Sequence, residues 1–196
     1  IPEYRLPTDV LEHEIQLIVN EGVKIHLNTE IGRDLSFAHL REEYDAVYLA
    51  TGTQFPNKVD LEGENLRGVY HGLPFLRDIH FGKCKRVGKN VVVIGGGSTA
   101  MDAARSAVRL GAKSVKVLYR RTQEDMPADK REVLEAIEEG VEIIPLVAPT
   151  KFLGDGKDRV IGIECQRMKL GEFDKHGRRK PVAVEGSEFT IETDMI

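Results

Sequence analysis

The sequence predicts an α/β fold, in which a Rossmann-like parallel sheet is followed by an antiparallel β-meander. Two observations predict the parallel sheet. The apolar strand Val91–Ile94 leads directly into the glycine-rich turn Gly95–Ala100 and an apolar-striped helix, and a second strand, Ser114–Tyr119, completes a βαβ unit of about thirty residues. A third observation predicts the meander, because alternating segments separated by turns rich in Gly and Asp close the chain.

Five elements are predicted before the glycine-rich turn. Apolar residues recur at helical spacing after the candidate caps Thr8 and Asp9, and glycine is a typical residue just past a helix end. Alternation of apolar and polar residues predicts a half-buried strand. In chain order, the elements are a helix from Thr8 or Asp9 to a stop at Gly22, a strand at Val23–Leu27, a short helix at Ser36–Glu43, a strand at Tyr44–Ala50 and a helix near Pro74–Ile79.

The elements after the turn are predicted from the same signals. Gly111 and Gly140 are expected to end helices, and Pro127 suits a first helical turn. In chain order, the elements are a helix at Ser98–Leu110, the strand Ser114–Tyr119, a helix at Ala128–Glu139, a strand at Val141–Pro145, hairpin turns at Gly154–Lys157 and Asp174–Gly177, and a strand that begins in the last six residues.

Glycine and positive charge cluster at Gly82–Lys89, which is interpreted as a linker. It divides the chain into residues 1–83 and 84–196, the second with a βαβ core at about 88–147 and the meander at about 148–196. The linker's basic residues are interpreted as solvated, and docking of a partner is the alternative. They are Lys83, Lys85, Arg86 and Lys89.

The glycine-rich turn matches the fingerprint of a dinucleotide site. Gly95 allows a tight turn out of the strand, Gly97 lets a pyrophosphate approach the backbone, and Ala100 permits close packing of helix on strand. The N-terminus of the following helix offers free N–H groups and a positive dipole end to phosphates. The alternative is a Rossmann-like turn whose glycines are purely structural.

The residues that follow the second strand favour NADP over NAD. An acidic residue there would accept hydrogen bonds from the ribose 2′-hydroxyl of NAD, whereas arginine suits the 2′-phosphate of NADP. This chain has Arg120 and Arg121 at that point and no acid at the strand end. The alternative is a solvated basic pair, with Glu124 and Asp125 as candidate ion-pair partners.

Composition and charge exclude several other classes of protein. The net charge of −4 gives no electrostatic footprint for nucleic acid or a membrane surface, and no apolar run is long enough to span a bilayer. Cys84 and Cys165 lie far apart and form no C-x-x-C, which argues against a redox disulfide or a cluster ligand set. A reducing cytoplasm is therefore the expected location. Both chain ends are expected to have been cut from a longer protein.

No catalytic residue and no metal site are predicted from the side chains. The histidines show no paired ligand spacing, Asp102 is interpreted as favouring the positive end of its helix, and the glutamates near residue 138 are interpreted as a solvated helix face. The histidines are His13, His26, His39, His71, His80 and His176, and the glutamates are Glu135, Glu138 and Glu139. Such a pattern suits a protein that positions cofactors while the cofactors supply the chemistry.

Five motifs in order resemble one family. They are Ile1–Pro7, Ala50–Thr53, Gly95–Asp102, Tyr119–Thr122 through Met126–Ala128, and the late segment from Gly162–Cys165 to Glu185–Phe189. Together they closely resemble the small (beta) subunit of NADPH-dependent glutamate synthase and its relatives. These include ferredoxin:NADP oxidoreductase partner subunits and the matching region of dihydropyrimidine dehydrogenase.

The resemblance implies a flavoprotein of two Rossmann-like domains, with the NADPH domain inserted into the FAD domain. In that family, hydride passes from NADPH to FAD, and electrons continue to iron–sulfur clusters on another domain or on a large, alpha-type subunit. Residues 84–196 would be the NADP-binding domain and residues 1–83 part of the FAD-binding domain. By position, the NADPH pyrophosphate would be held by Gly95, Gly97, Ser98, Thr99 and Ala100, its 2′-phosphate by Arg120 and Arg121, and the FAD side by Thr51 and Gly52.

The chain also departs from that family. The glycine-rich FAD fingerprint that precedes the Ile-Pro-Glu motif, the later Gly-Asp contact and the cysteine-rich cluster domain are absent. The chain is therefore expected to be a central fragment of an oxidoreductase with an incomplete FAD site and no catalysis of its own. The alternatives are a non-catalytic module that binds NADP(H) or docks a subunit, and an NAD-linked dehydrogenase.

Overall fold

The computed structural model describes residues 1–53, 55–56, 58–175 and 177–196. They form two compact units. The smaller unit is Glu3–Gln54, and the larger unit is Ile1–Pro2 with Phe55–Ile196. The predicted boundary between residues 83 and 84 therefore lies inside the larger unit. The assignment of residues 1–83 to the FAD-binding domain and of residues 84–196 to the NADP-binding domain stays a prediction.

The smaller unit contains two helices. Helix α1 is Thr8–Asn20 and helix α2 is Phe37–Glu43. The prediction that Thr8 or Asp9 caps α1 is wrong, because Pro7 occupies the cap position without a side-chain hydrogen bond. Ser36 does cap α2, since its side chain accepts a hydrogen bond from the His39 N–H at 3.1 Å.

The two strands predicted in the smaller unit, Val23–Leu27 and Tyr44–Ala50, are wrong. Neither segment forms a regular strand among the described residues. Alternation only states which side chains are apolar, whereas a strand also needs a hydrogen-bonded neighbour and a face to pack against. Of the described residues in this unit, none is buried.

The larger unit begins with helix α3, Gly72–His80, close to its predicted position. Strand β1 is Asn90–Ile94, helix α4 is Ser98–Arg109 and strand β2 is Ser114–Tyr119, so the βαβ prediction is confirmed. A 3₁₀ turn at Gln123–Asp125 precedes helix α5, Lys130–Glu138, and strand β3 is Glu142–Pro145. The three strands form a parallel sheet in the order β1-β2-β3.

Helix α5 begins later than predicted, and Pro127 lies outside its first turn. The Asp129 carboxylate caps the helix by accepting a hydrogen bond from the Arg131 N–H at 2.8 Å. The preceding residues serve another purpose, because the Ala128 N–H donates to the Gly96 carbonyl at 3.0 Å. The helix start is therefore displaced by a contact with the glycine-rich turn.

The predicted meander is confirmed. Strands β4 (Val147–Gly154), β5 (Val160–Phe173) and β6 (Arg179–Glu192) form an antiparallel sheet in sequence order. The first predicted turn, at 154–157, joins β4 to β5. In the second, the Gly177 N–H donates to the Asp174 carbonyl at 3.0 Å, and His176 lies outside the described residues. The prediction that a strand begins in the last six residues is wrong, because Ile191 and Glu192 are the end of β6. The Thr193 hydroxyl then donates to the Asn90 carbonyl at 2.7 Å. Met195 then forms an isolated parallel bridge with Val91.

The core of the larger unit occupies both faces of the parallel sheet. On one face, Val91 packs with α4 residues such as Met101 and Ala104. On the other face, Val92 and Leu118 pack against the antiparallel sheet. The continuous apolar run of β1 is explained by this arrangement, since a strand covered on both faces has no polar side. The carboxyl ends of β1 and β2 are held at one edge of the buried sheet.

Candidate functional site

The glycine-rich turn leaves β1 at the carboxyl edge of the parallel sheet. Gly95 has φ +131°, a value that L side chains rarely adopt, and its N–H donates to the Leu118 carbonyl at 3.0 Å. A Cβ at position 96 would lie 2.7 Å from ring carbons of Tyr119. Gly96 therefore has a packing role that sequence reasoning misses, and the uninterrupted run of three glycines is the available signal.

Gly97 and the start of α4 leave an open surface. A Cβ at position 97 would meet no atom of the described residues within 4 Å, and Gly97 as N-cap has no side chain to occupy the helix end. Its carbonyl accepts from the N–H groups of Ala100 and Met101, while Ser98 and Thr99 are exposed. Such an uncapped N-terminus, with a positive dipole end, is suited to an anion.

Ala100 packs against the glycine-rich turn at Gly95. Its side chain is buried, and its Cβ lies 3.6 Å from the position that a Cβ on Gly95 would take. A larger residue at position 100 would therefore press on the turn. The predicted role of Ala100 in close helix–strand packing agrees with this geometry.

The loop after β2 is fixed against the turn. The Tyr119 hydroxyl donates to the Asp125 carbonyl at 2.8 Å, and the Asp125 carboxylate accepts from the Thr122 hydroxyl at 2.6 Å and the Thr122 N–H at 3.2 Å. Together with the bond from Ala128 to Gly96, these contacts order the rim of the site. The Asp125 carboxylate is thus hydrogen-bonded to Thr122. The alternative interpretation from the sequence pairs it with Arg120 and Arg121.

The two arginines after β2 lie in different environments. Arg120 is exposed, and within the described part of the chain no hydrogen bond or ion pair holds its guanidinium. Arg121 is buried: its Nε donates to the Arg179 carbonyl at 2.9 Å, and its Nη2 lies 3.9 Å from the Asp174 carboxylate. Their predicted role at a 2′-phosphate stays a prediction, but of the two only Arg120 is exposed.

Two of the glutamates interpreted as a solvated face have another role. The buried Arg105 of α4 donates to Glu135 at 2.6 Å and to Glu139 at 2.7 and 3.0 Å, and Arg109 donates to Glu139 at 2.8 Å. The solvated interpretation is therefore wrong for Glu139, whose side chain is 22% exposed, whereas Glu135 and Glu138 are exposed. It fails because the partner arginine lies on α4, thirty or more positions away in the chain.

The Arg105 cluster alters the titration of one carboxyl. Burial acts to raise the pKa of Glu139, but the hydrogen bonds and charges of Arg105 and Arg109 outweigh it and hold the pKa below the ordinary value. Glu139 is therefore a carboxylate near neutral pH. The cluster joins α5 to the helix that presents the candidate site.

The remaining predicted residues lie apart from this site or are not tested by it. Thr51 and Gly52 are exposed residues of the smaller unit, and their place beside FAD stays a prediction. Asp102 is buried in α4. Burial raises the pKa of the Cys165 thiol to about 12, so the thiol is protonated near neutral pH.

Neither a cluster of metal ligands nor a membrane-spanning helix is found among the described residues. In the described ranges, no three His, Cys, Asp or Glu side chains are grouped as metal ligands would be, and His176 lies outside those ranges. None of the described helices combines the length and the apolar character that crossing a bilayer requires.

Comparison with known proteins identifies relatives across the chain. A family model described as pyridine nucleotide-disulphide oxidoreductase matches residues 7–176. The NADP(+)-dependent formate dehydrogenase subunit beta of Moorella thermoacetica is 45% identical, over 100% of this chain and 28% of that protein. The glutamate synthase [NADPH] small chain of Azospirillum brasilense is 40% identical, over 100% of this chain and 43% of that protein. The chain thus spans less than half of either relative, and the predicted resemblance is confirmed.

A solved structure supports the fold. Mycobacterium tuberculosis FprA in complex with NADPH superposes with a TM-score of 0.73 at 20% identity, covering 86% of this chain and 52% of that one. At this identity the likeness concerns the fold alone. The predicted fold class, a parallel sheet with an antiparallel meander, is confirmed.

Proposed function

The chain belongs to the pyridine nucleotide-disulphide oxidoreductase family, and we propose that it is the NADPH-binding portion of a flavoprotein that passes hydride from NADPH to FAD and on to iron–sulfur clusters. The observation that carries this proposal is the uncapped N-terminus of α4 above the open Gly97 position. Its exposed first turn fits the pyrophosphate of a dinucleotide.

The residues of the larger unit divide the work of binding. Gly95, Gly97 and Ala100 shape the turn, and the N–H groups of Ser98 and Thr99 face the pyrophosphate. Arg120 is exposed directly after β2 and is the residue best placed to bind the 2′-phosphate. A guanidinium group can donate two parallel hydrogen bonds to phosphate oxygens. The protein thus orients the nucleotide, and the nucleotide supplies the hydride.

We assign residues 1–83 to the FAD-binding side and residues 84–196 to the NADP-binding domain. Large apolar residues are exposed in the smaller unit, including Ile15 and Ile18 on α1 and Tyr48 and Leu49 beside the Thr51-Gly52 turn. Such exposure suits a unit that packs within a larger domain of the parent protein. A cytoplasmic location and an iron–sulfur domain or alpha-type large subunit as partner belong to the same proposal.

A module that docks a partner subunit without turnover is the second candidate. It is favoured by the linker, where Lys83, Lys85, Arg86 and Lys89 are all exposed. An NAD-linked dehydrogenase is less favoured, because β2 ends without the acidic residue that would bind the ribose hydroxyl.

The assignment is tested by calorimetric titration of the 196-residue chain with NADPH and NADH. We expect NADPH to bind more tightly, and the Arg120→Ala variant to lose about tenfold in NADPH affinity with little change for NADH. Lys113→Ala, an exposed basic residue before β2, is the charge-matched control. Equal affinity of the unmutated chain for both nucleotides would contradict the NADP assignment.

A further inference from the structure

The β5–β6 hairpin reaches the edge of the parallel sheet where the nucleotide is proposed to bind. The Met168 N–H on β5 donates to the Leu146 carbonyl at 2.7 Å, and the Leu146 N–H donates to the Arg121 carbonyl at 2.9 Å. The Arg121 side chain then bonds to the Arg179 carbonyl at the start of β6. The hairpin is thus connected to Arg121, which follows β2, by two routes: through Leu146 and through the Arg121 side chain.

One carboxylate in the hairpin faces two arginines, one of which is distant in the chain. Oδ2 of Asp174 lies 3.9 Å from Nη2 of Arg121 and 3.8 Å from Nε of Arg178. Its other oxygen accepts a hydrogen bond from the Arg178 N–H at 3.0 Å. Because a single oxygen atom is common to both ion pairs, the Arg121 and Arg178 guanidinium groups lie on the same small patch.

The two guanidinium groups retain donors for a further acceptor. The Arg121 Nε–H is taken by the Arg179 carbonyl. Separations of 3.8 and 3.9 Å are longer than a hydrogen bond, so Nη2 of Arg121 and Nε of Arg178 are attracted to the Asp174 carboxylate without a hydrogen bond to it. The Arg178 side chain is 60% exposed. The patch has two guanidinium charges against one carboxylate, and Arg120 directly precedes Arg121 in the chain. The net positive charge suits a phosphate monoester of about −2.

We propose that Arg178, contributed by the β5–β6 hairpin, joins Arg120 and Arg121 as a third basic residue at the 2′-phosphate of NADP(H). Arg178 then strengthens the preference of the site for NADP(H) over NAD(H). The inference rests on the proposed function of the same site. Asp174 is a positioning residue, because it holds Arg178 beside Arg121. The preference of the site for NADP(H) over NAD(H) is then set partly by the meander, since Arg178 lies fifty-seven positions after Arg121 in the chain.

The test compares Arg178→Gln with the unmutated 196-residue chain by calorimetric titration. Four probes are used: NADPH, NADH, 2′,5′-ADP and AMP, of which the last two differ only in the 2′-phosphate and bind without any flavin. We expect Arg178→Gln to weaken NADPH and 2′,5′-ADP about tenfold and NADH and AMP less than about twofold. Arg178→Lys, which keeps the charge, should lose less.

Lys157→Gln is the matched control, because Lys157 is an exposed basic residue in the other hairpin turn of the same sheet. It should leave all four affinities unchanged. An unmutated chain that prefers NADPH while Arg178→Gln keeps that full preference overturns this inference alone. An unmutated chain with equal affinity for NADPH and NADH overturns the proposed function and this inference together.

Discussion

Residues 90–147 and the smaller unit carry similar sequence patterns but reach different structures. Both contain apolar-striped helices and short apolar segments bounded by turn residues. In the first region the segments become three paired strands with a core on both faces. In the second, two helices form, and the described residues include no regular strand and no buried side chain. A periodic pattern therefore states which side chains need burial and does not supply the surface that buries them.

The largest expected effect concerns packing beneath the site. Met101 of α4 is fully buried, whereas Leu11 of α1 is 41% exposed. We expect Met101→Ala to lower the free energy of unfolding by about 2–5 kcal/mol, because it leaves a cavity in a packed core. Leu11→Ala should change it by less than about 0.5 kcal/mol. Urea titrations followed by circular dichroism measure both, and equal losses would show that the two units are packed alike.

A smaller effect is expected from the carboxylate that links α5 to α4. The folded-state pKa of Glu139 is lowered, so its contribution to stability is present above the ordinary glutamate pKa of 4.5 and is lost as pH falls through the folded value. We expect Glu139→Gln to cost about 1–2 kcal/mol near pH 7, since it weakens charge-assisted hydrogen bonds from Arg105 and Arg109. The difference from the unmutated chain should shrink below pH 4.5. Thermal unfolding from about pH 3 to pH 8 measures it.

Glu138→Gln is the matched control for that experiment. Glu138 is the preceding residue on α5, but it is exposed and its side chain makes no ion pair with the described residues. Its curve of melting temperature against pH should follow that of the unmutated chain. If the Glu139→Gln curve also ran parallel to the unmutated one at every pH, the Arg105 cluster would have no role in joining α5 to α4.

The parts of the fold that the sequence predicts are those whose causes lie close together in the chain. The turn at Gly95–Ala100 and the helix end at Gly111 depend on the conformations of adjacent residues. The contact of Gly96 with Tyr119 and the pairing of Arg105 with Glu139 join residues more than twenty positions apart. No local pattern marks such pairs, and so the ion pairing of Glu139 is missed from sequence.

The same distinction applies to the candidate site. Its glycines and Arg120 follow from a fingerprint and from the end of a strand, both of which are local. Arg178 enters only through the fold, because the β5–β6 hairpin brings it beside Arg121 through Asp174. Sequence reasoning therefore locates the pyrophosphate end of the proposed site better than its 2′-phosphate end.

In the proposed function, the turn before α4, in the larger unit, holds the pyrophosphate of NADP(H). The most direct test is titration of the ¹⁵N-labelled 196-residue chain with NADP⁺ while backbone amide shifts are recorded. We expect the largest shifts at Gly97, Ser98 and Thr99, which form the uncapped start of α4. Saturating NADP⁺ that leaves these three amides unmoved, or that shifts amides of the smaller unit more strongly, would contradict it.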